Sequence, residues 1–314
     1  MSAVSHAVPA LSTTHTKLSS IRHHFRTVAG VEMFYREAGD PNAPGIVLLP
    51  SHPSGAHAYN GLIARLAASW HVVAPDYPGY GFSAVPAGAR WTFDWLADIS
   101  NDFLEQLGLD RYVMYMFGFG APVGFRIAEA HPHRVAGIVT QNGNIYVDGF
   151  GPGLAALADW WNDRAAGQAA VDGFLTIAGT KLQWEAGARD AAAIDPAMWN
   201  LDQALLDLPG RKNVAEALLW DYQNNPGRYP DWQAYLRQHR PPLLAIWGAN
   251  DPFFIAPGAE AYKRDLPTAQ VVLLDTGHFA LVEEVDTIAE RVDRFLHDVY
   301  ANDVALRGDG KCAT

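Results

Sequence analysis

The strongest constraint on the fold is a rhythm. Short, wholly apolar runs bounded by Gly, Pro or Asp alternate with longer stretches whose apolar residues recur at helical spacing. Gly45–Leu49 and Tyr112–Phe117 read as buried strands, and His71–Ala74, Val135–Thr140, Leu243–Trp247 and Gln270–Leu274 as further strands. His23–Val28 and Glu32–Ala38 read as an opening pair of strands turning at Gly30. Between the runs, Tyr59–Ala68, the face Leu96, Ile99, Phe103, Leu104 and Leu107, then Ala121–Ala130, Gly258–Asp265 and Thr287–Val299 read as helices. Strands buried on both faces and separated by helices imply a mostly parallel, doubly wound sheet.

The rhythm breaks once. From about Tyr146 to Arg240 there is no strand pattern, and Trp160, Trp161, Trp184, Trp199, Trp220 and Trp232 lie among helical patterns. A helical insertion at that point is expected to cover the carboxyl ends of the strands, where open α/β sheets bind ligands. The expected organisation is a leader over residues 1–20, a core over 21–145 and 241–300, a helical lid over 146–240 and a flexible tail over 301–314.

Composition restricts the partners. A formal net charge of −11 argues against nucleic acid, whose phosphates such a surface repels. No apolar run reaches the roughly 20 residues needed to span a bilayer. The opening Ser, Thr, Ala and His stretch lacks the basic and apolar regions of a signal peptide. The single cysteine, Cys312, forms no internal disulfide, and a cytoplasmic protein is expected. No metal or organic cofactor is implied. Gly118, Gly120 and Gly124 lack the lysine and the downstream acid of a nucleotide loop, and His23 and His24 lack further ligands. The expected partner is a small molecule, and the sequence gives no oligomeric state.

Two turns carry titratable groups suited to catalysis. Trp247-Gly248-Ala249-Asn250-Asp251-Pro252 and Leu274-Asp275-Thr276-Gly277-His278-Phe279 each follow an apolar strand. An aspartate at the end of one strand can accept the Nδ1–H of a histidine at the end of the next. It then fixes the tautomer and stabilises the imidazolium. An Asp-Pro turn and a surface histidine explain either residue alone, but not the two together. Asn142 and Asn144 also end a strand, yet an amide cannot serve as the acid, which favours Asp251.

A sharp turn follows Tyr112–Phe117, in Met116-Phe117-Gly118-Phe119-Gly120-Ala121-Pro122-Val123-Gly124. A G-x-S-x-G elbow would put a serine at 118. The chain has glycine there, which relieves the strain of such a turn but has no side chain to attack a substrate.

With these segments, Phe34-Tyr35-Arg36-Glu37-Ala38-Gly39 and Asp76-Tyr77-Pro78-Gly79-Tyr80-Gly81-Phe82-Ser83, the chain resembles the α/β-hydrolase superfamily. It is most similar to the epoxide hydrolase and haloalkane dehalogenase branch, over nearly all of residues 22–299. The resemblance implies an α/β-hydrolase fold with a lid. It also implies that an aspartate normally stands where this chain has Gly118, attacking carbon to give an ester that water then cleaves. It further implies His-Gly, an aromatic residue and often Pro after the third strand, where this chain has Pro50-Ser51-His52-Pro53. By resemblance, the N–H groups of His52 and Phe119 would form an oxyanion hole, with Ser51 beside it. Trp220-Asp221-Tyr222-Gln223-Asn224-Asn225 matches the cap segment in which a tyrosine, here Tyr222, donates to the substrate oxygen.

The resulting expectation is an enzyme in which His278, oriented by Asp251, acts as general base without a covalent nucleophile. The chemistry would be direct water attack, elimination, isomerisation or ring closure on a small apolar substrate. The alternatives are a non-catalytic binding protein on the same fold, or a hydrolase of that branch inactivated at Gly118. Restoring aspartate at 118 separates the last from the others.

Overall fold

The computed structural model describes residues 20–308. The expected leader (save Ser20) and Cys312 lie outside them. Among the described residues, strands β1 (Arg22–Val28), β2 (Val31–Ala38), β3 (Gly45–Leu49), β4 (His71–Pro75), β5 (Tyr112–Phe117), β6 (Val135–Gln141), β7 (Leu243–Gly248) and β8 (Gln270–Leu274) form one sheet. Its order is β1-β2-β4-β3-β5-β6-β7-β8. The β1–β2 and β2–β4 pairs are antiparallel and the rest are parallel.

The period of two in each strand divides the core into two layers. In β5, Tyr112, Met114 and Met116 face one layer, while Val113, Tyr115 and Phe117 face the other. In β3, Val47 and Leu49 join the first layer and Ile46 and Leu48 the second. Every residue of β3, β4, β5, β6 and β7 is buried, as required of parallel strands covered on both faces.

Helices α1 (Asn60–Leu66), α2 (Phe93–Gln106) and α3 (Gly120–Ala130) follow β3, β4 and β5. Helix α2 starts at Thr92, whose hydroxyl accepts the Trp95 N–H at 3.1 Å, and buries Leu96, Ile99, Phe103 and Leu104. Helix α3 packs closely on the sheet because it begins with glycine. A Cβ on Gly120 would stand 2.5 Å from the Leu49 carbonyl oxygen.

Between β6 and β7 the chain is helical: α4 (Ala155–Asn162), α5 (Arg164–Phe174), α6 (Ile177–Glu185), α7 (Pro196–Leu206), α8 (Arg211–Asp221) and α9 (Asn225–His239). Buried aromatic contacts and a few polar ties join this insertion to the rest. Trp184 stacks on Phe279 at 3.8 Å and donates through Nε1 to Asp202 Oδ2 at 2.8 Å. His57 Nε2 lies 2.8 Å from Asp202 Oδ1, both side chains being buried. Arg211 donates to the carbonyls of Gly81 and Ser83, and Asp221 accepts the Phe93 N–H at 2.8 Å.

After β7 come α10 (Ala256–Asp265), β8, the short α11 (Ala280–Glu283) and α12 (Val285–Gly308). Helix α12 runs past the expected core boundary at residue 300, so the first part of the expected flexible tail is helical. No helix among the described residues is long and apolar enough to cross a membrane.

Candidate functional site

The parallel strands end on one edge, and the loops leaving β3, β5, β6, β7 and β8 converge there. Asp251 leaves β7 and His278 leaves β8. His278 Nδ1 lies 2.7 Å from Asp251 Oδ2, and both residues are buried. Asp251 is held on both oxygens: Oδ1 accepts the Phe253 N–H at 2.7 Å and Oδ2 accepts from Asn142 Nδ2 at 2.8 Å. Two donors besides the imidazole keep this buried carboxylate hydrogen-bonded and fixed in angle.

Asn142 ends β6 in a left-handed conformation, with φ +45°. That backbone turns its amide across to β7. The amide oxygen accepts the Gly248 N–H at 2.9 Å, and Nδ2 reaches both the Gly248 carbonyl at 3.2 Å and Asp251. Sequence reasoning excluded Asn142 as an acid but missed this clamping role. The readable signal was the polar run Gln141-Asn142-Gly143-Asn144 directly after an apolar strand. Gln141 adds a second unforeseen tie, donating to the His278 carbonyl at 3.0 Å.

Gly118 sits between β5 and α3 with φ +47°, in the left-handed region that side chains disfavour. A Cβ placed on it would stand 2.1 Å from Ser51 Oγ, 2.8 Å from Ser51 Cβ and 3.1 Å from His278 Nε2. The Ser51 hydroxyl thus occupies the space a residue 118 side chain would need, and it accepts the Phe119 N–H at 3.2 Å.

His52 points into the same region. Its Nδ1 lies 3.1 Å from the Tyr80 hydroxyl, while Nε2 is buried without a partner. Burial is the main cause, and nearby His278 a second, of a His52 imidazole pushed down to about 3, so it is neutral at ordinary pH. Tyr222, in the turn after α8, is buried and stacks on Phe119 at 5.5 Å. Burial raises its phenol well above the usual range, which keeps the proton on oxygen.

One apolar cavity joins these groups. Ser51, His52, Phe119, Phe253, Phe254 and His278 line it from the sheet side, and Leu154, Leu157, Phe174, Gln183, Leu219 and Tyr222 from the insertion. Four of the predicted site residues and the predicted histidine therefore share one cavity, with Asp251 behind His278 and Gly118 beneath Ser51. Among the described residues, no three His, Cys, Asp or Glu side chains are grouped to hold a metal ion.

The sequence matches the family described as alpha/beta hydrolase fold over residues 44–285. The chain belongs to this family. The protein named Uncharacterized hydrolase YNR064C, from Saccharomyces cerevisiae, is 38% identical over 279 residues, which cover 86% of this chain and 95% of the yeast protein. Haloalkane dehalogenase 2 of Mycobacterium tuberculosis is 34% identical over 99 residues, covering 32% of this chain and 35% of that one. Haloalkane dehalogenase DbeA from Bradyrhizobium elkani superposes with a TM-score of 0.70 at 19% identity, covering 90% of this chain and all (100%) of that one. At that identity the superposition shows the fold alone.

Proposed function

We propose that this α/β hydrolase is an enzyme acting on a small, uncharged, largely apolar molecule. His278, oriented by Asp251, is the general base, and residue 118 supplies no covalent nucleophile. The observation that carries this reading is the 2.7 Å contact between His278 Nδ1 and Asp251 Oδ2, made behind an imidazole that lines an apolar cavity. A carboxylate at that nitrogen leaves Nε2 facing the cavity as the proton acceptor.

The insertion that carries α4 to α9 serves as a lid, because half of the residues lining the cavity come from it. Water exclusion by that wall strengthens every polar contact inside. The backbone N–H groups of His52 and Phe119 would serve a developing oxyanion, the latter resting on the Ser51 hydroxyl at 3.2 Å until substrate seats, and Tyr222 is the cap donor. The resemblance to epoxide hydrolases and haloalkane dehalogenases supports the shape of the pocket. Glycine at 118 separates this chain from their ester intermediate. A cytoplasmic location is part of this proposal and rests on the single cysteine, Cys312, which suits a reducing compartment.

The test is turnover of a panel of esters, lactones, epoxides and haloalkanes by wild type and His278→Ala. Turnover by wild type that falls at least about 10³-fold in His278→Ala is expected for loss of the base. Equal rates in the two proteins, or silence of the wild type across the panel, refute the reading.

A further inference from the structure

We propose that Ser51 is the catalytic nucleophile of this enzyme, relocated from the β5 elbow to the loop after β3, and that the substrate is a carboxylic ester. The proposal rests on the general-base reading of His278 given above and adds the attacking oxygen to it.

Two departures from the expected pattern meet at one point. The resemblance implies a side chain at 118 and glycine at 51. This chain has glycine at 118 and a hydroxyl at 51. Ser51 Oγ lies 2.1 Å from the place where a residue 118 Cβ would be, and His278 Nε2 lies 3.1 Å from that same place. The side chain lost from one loop is thus replaced, in space, by one gained on its neighbour.

The surroundings suit an alkoxide. Ser51 is buried at 3% exposure and lines the cavity. Its oxygen accepts the Phe119 N–H, at the N-terminus of the eleven-residue helix α3. That N–H and the helix dipole favour negative charge on the oxygen. No hydrogen bond joins Ser51 Oγ to His278 Nε2 in this structure, though both border the place a residue 118 Cβ would take, and in hydrolytic sites such bonds tighten when substrate seats.

The chemistry selects the substrate class. Ser51 Oγ attacks the ester carbonyl carbon as its proton passes to His278 Nε2. The carbon–oxygen bond to the alcohol then breaks, and the alcohol leaves with that proton. Water, deprotonated by His278, attacks the acyl-serine, and the proton returns to Ser51 as the acid is released. Attack of a serine on an epoxide or haloalkane carbon would instead leave an ether, which this machinery has no means of cleaving. A serine at this point therefore works on acyl groups, whereas an aspartate works on alkyl groups.

The experiment treats the full-length protein with an alkyl fluorophosphonate, from which Ser51 Oγ would displace fluoride as His278 takes the proton. Intact mass and peptide mapping read the adduct, and hydrolysis of p-nitrophenyl butyrate is followed beside it. Expected are one adduct, on the peptide containing Ser51, its absence in Ser51→Ala, and labelling at least about 100-fold slower in His278→Ala. Ester turnover should fall at least about 10³-fold in Ser51→Ala while its near-UV circular dichroism stays that of wild type. No adduct, or an adduct on another residue, overturns the proposal. So does Ser51→Ala turning over ester within about threefold of wild type. If that turnover still depends on His278, water attacks directly and the general-base reading stands. If His278→Ala is also as active as wild type, that reading fails as well.

Discussion

Placing a methyl group on Gly118 should cost far more than loss of glycine at an ordinary turn, and the excess should come from Ser51. Three terms can be worked from the structure. A non-glycine residue held at φ +47° costs about 1–2 kcal/mol. The new Cβ would stand 2.1 Å from Ser51 Oγ and 2.8 Å from Ser51 Cβ, so a rotamer change of the serine alone does not clear it. The β3 loop must shift, an overpacking cost of about 1–3 kcal/mol, and the bond from the Phe119 N–H is lost with it, about 0.5–1.5 kcal/mol. Gly118→Ala should therefore destabilise by about 2.5–6.5 kcal/mol, a large share of the roughly 5–15 kcal/mol typical of a folded domain. Ser51→Gly removes both clashing atoms and should cost only about 1 kcal/mol by itself. In the double variant just the backbone term persists beside it. Equilibrium urea denaturation of the four proteins at 25 °C should return a favourable coupling of about 2–3 kcal/mol between the two sites. Additive single costs, or a Gly118→Ala penalty under about 1 kcal/mol, would refute the claim that the two residues compete for one space.

Two further outcomes follow from the residues around this point. Asn142→Ala should destabilise by about 2–4 kcal/mol, because it places alanine at φ +45° and leaves the buried Gly248 N–H unpaired. It should also lower kcat by about 10–100-fold through the freed Asp251; denaturation and steady-state rates at saturating ester check both. His52 supplies a pH dependence. Its folded value is pushed down to about 3 from an ordinary 6.5, so between those values the unfolded chain binds a proton that the folded chain refuses. Stability from this group is full above about pH 6.5 and falls by up to about 1.4 kcal/mol per pH unit as the pH drops toward 3. From pH 7 to 5, wild type should lose up to about 2 kcal/mol more in urea than His52→Gln, and equal losses would count against a buried neutral imidazole.

The inner strands were legible because burial on both faces demands wholly apolar runs, and the elements at Gly45–Leu49 and Tyr112–Phe117 agree with the reading residue for residue; so does Gln270–Leu274, an edge strand in which only Leu274 is buried. Helix ends shifted by a residue or more, as at Asn60–Leu66, where capping and tertiary packing decide the boundary. The meeting of Asp251 and His278 was legible because each follows an apolar strand on a turn, and successive strands bring their ends together. The role of Asn142 was not, since it depends on a left-handed backbone that an asparagine permits but does not announce.

The relation between Ser51 and Gly118 lies between these cases. Read one position at a time, glycine at the elbow is an empty place and serine after β3 is a departure without consequence. The sheet joins them. Strands β3 and β5 are parallel neighbours, with Leu49 paired to Met116, and two residues beyond that pair stand Ser51 and Gly118. Parallel strands in register deliver equivalent positions of adjacent loops to the same place, on the same side. The attacking atom of such a site is therefore a property of a point above the sheet edge, and either loop can supply it. What the chain must conserve is one side chain at that point within reach of His278, together with a glycine opposite to leave it room.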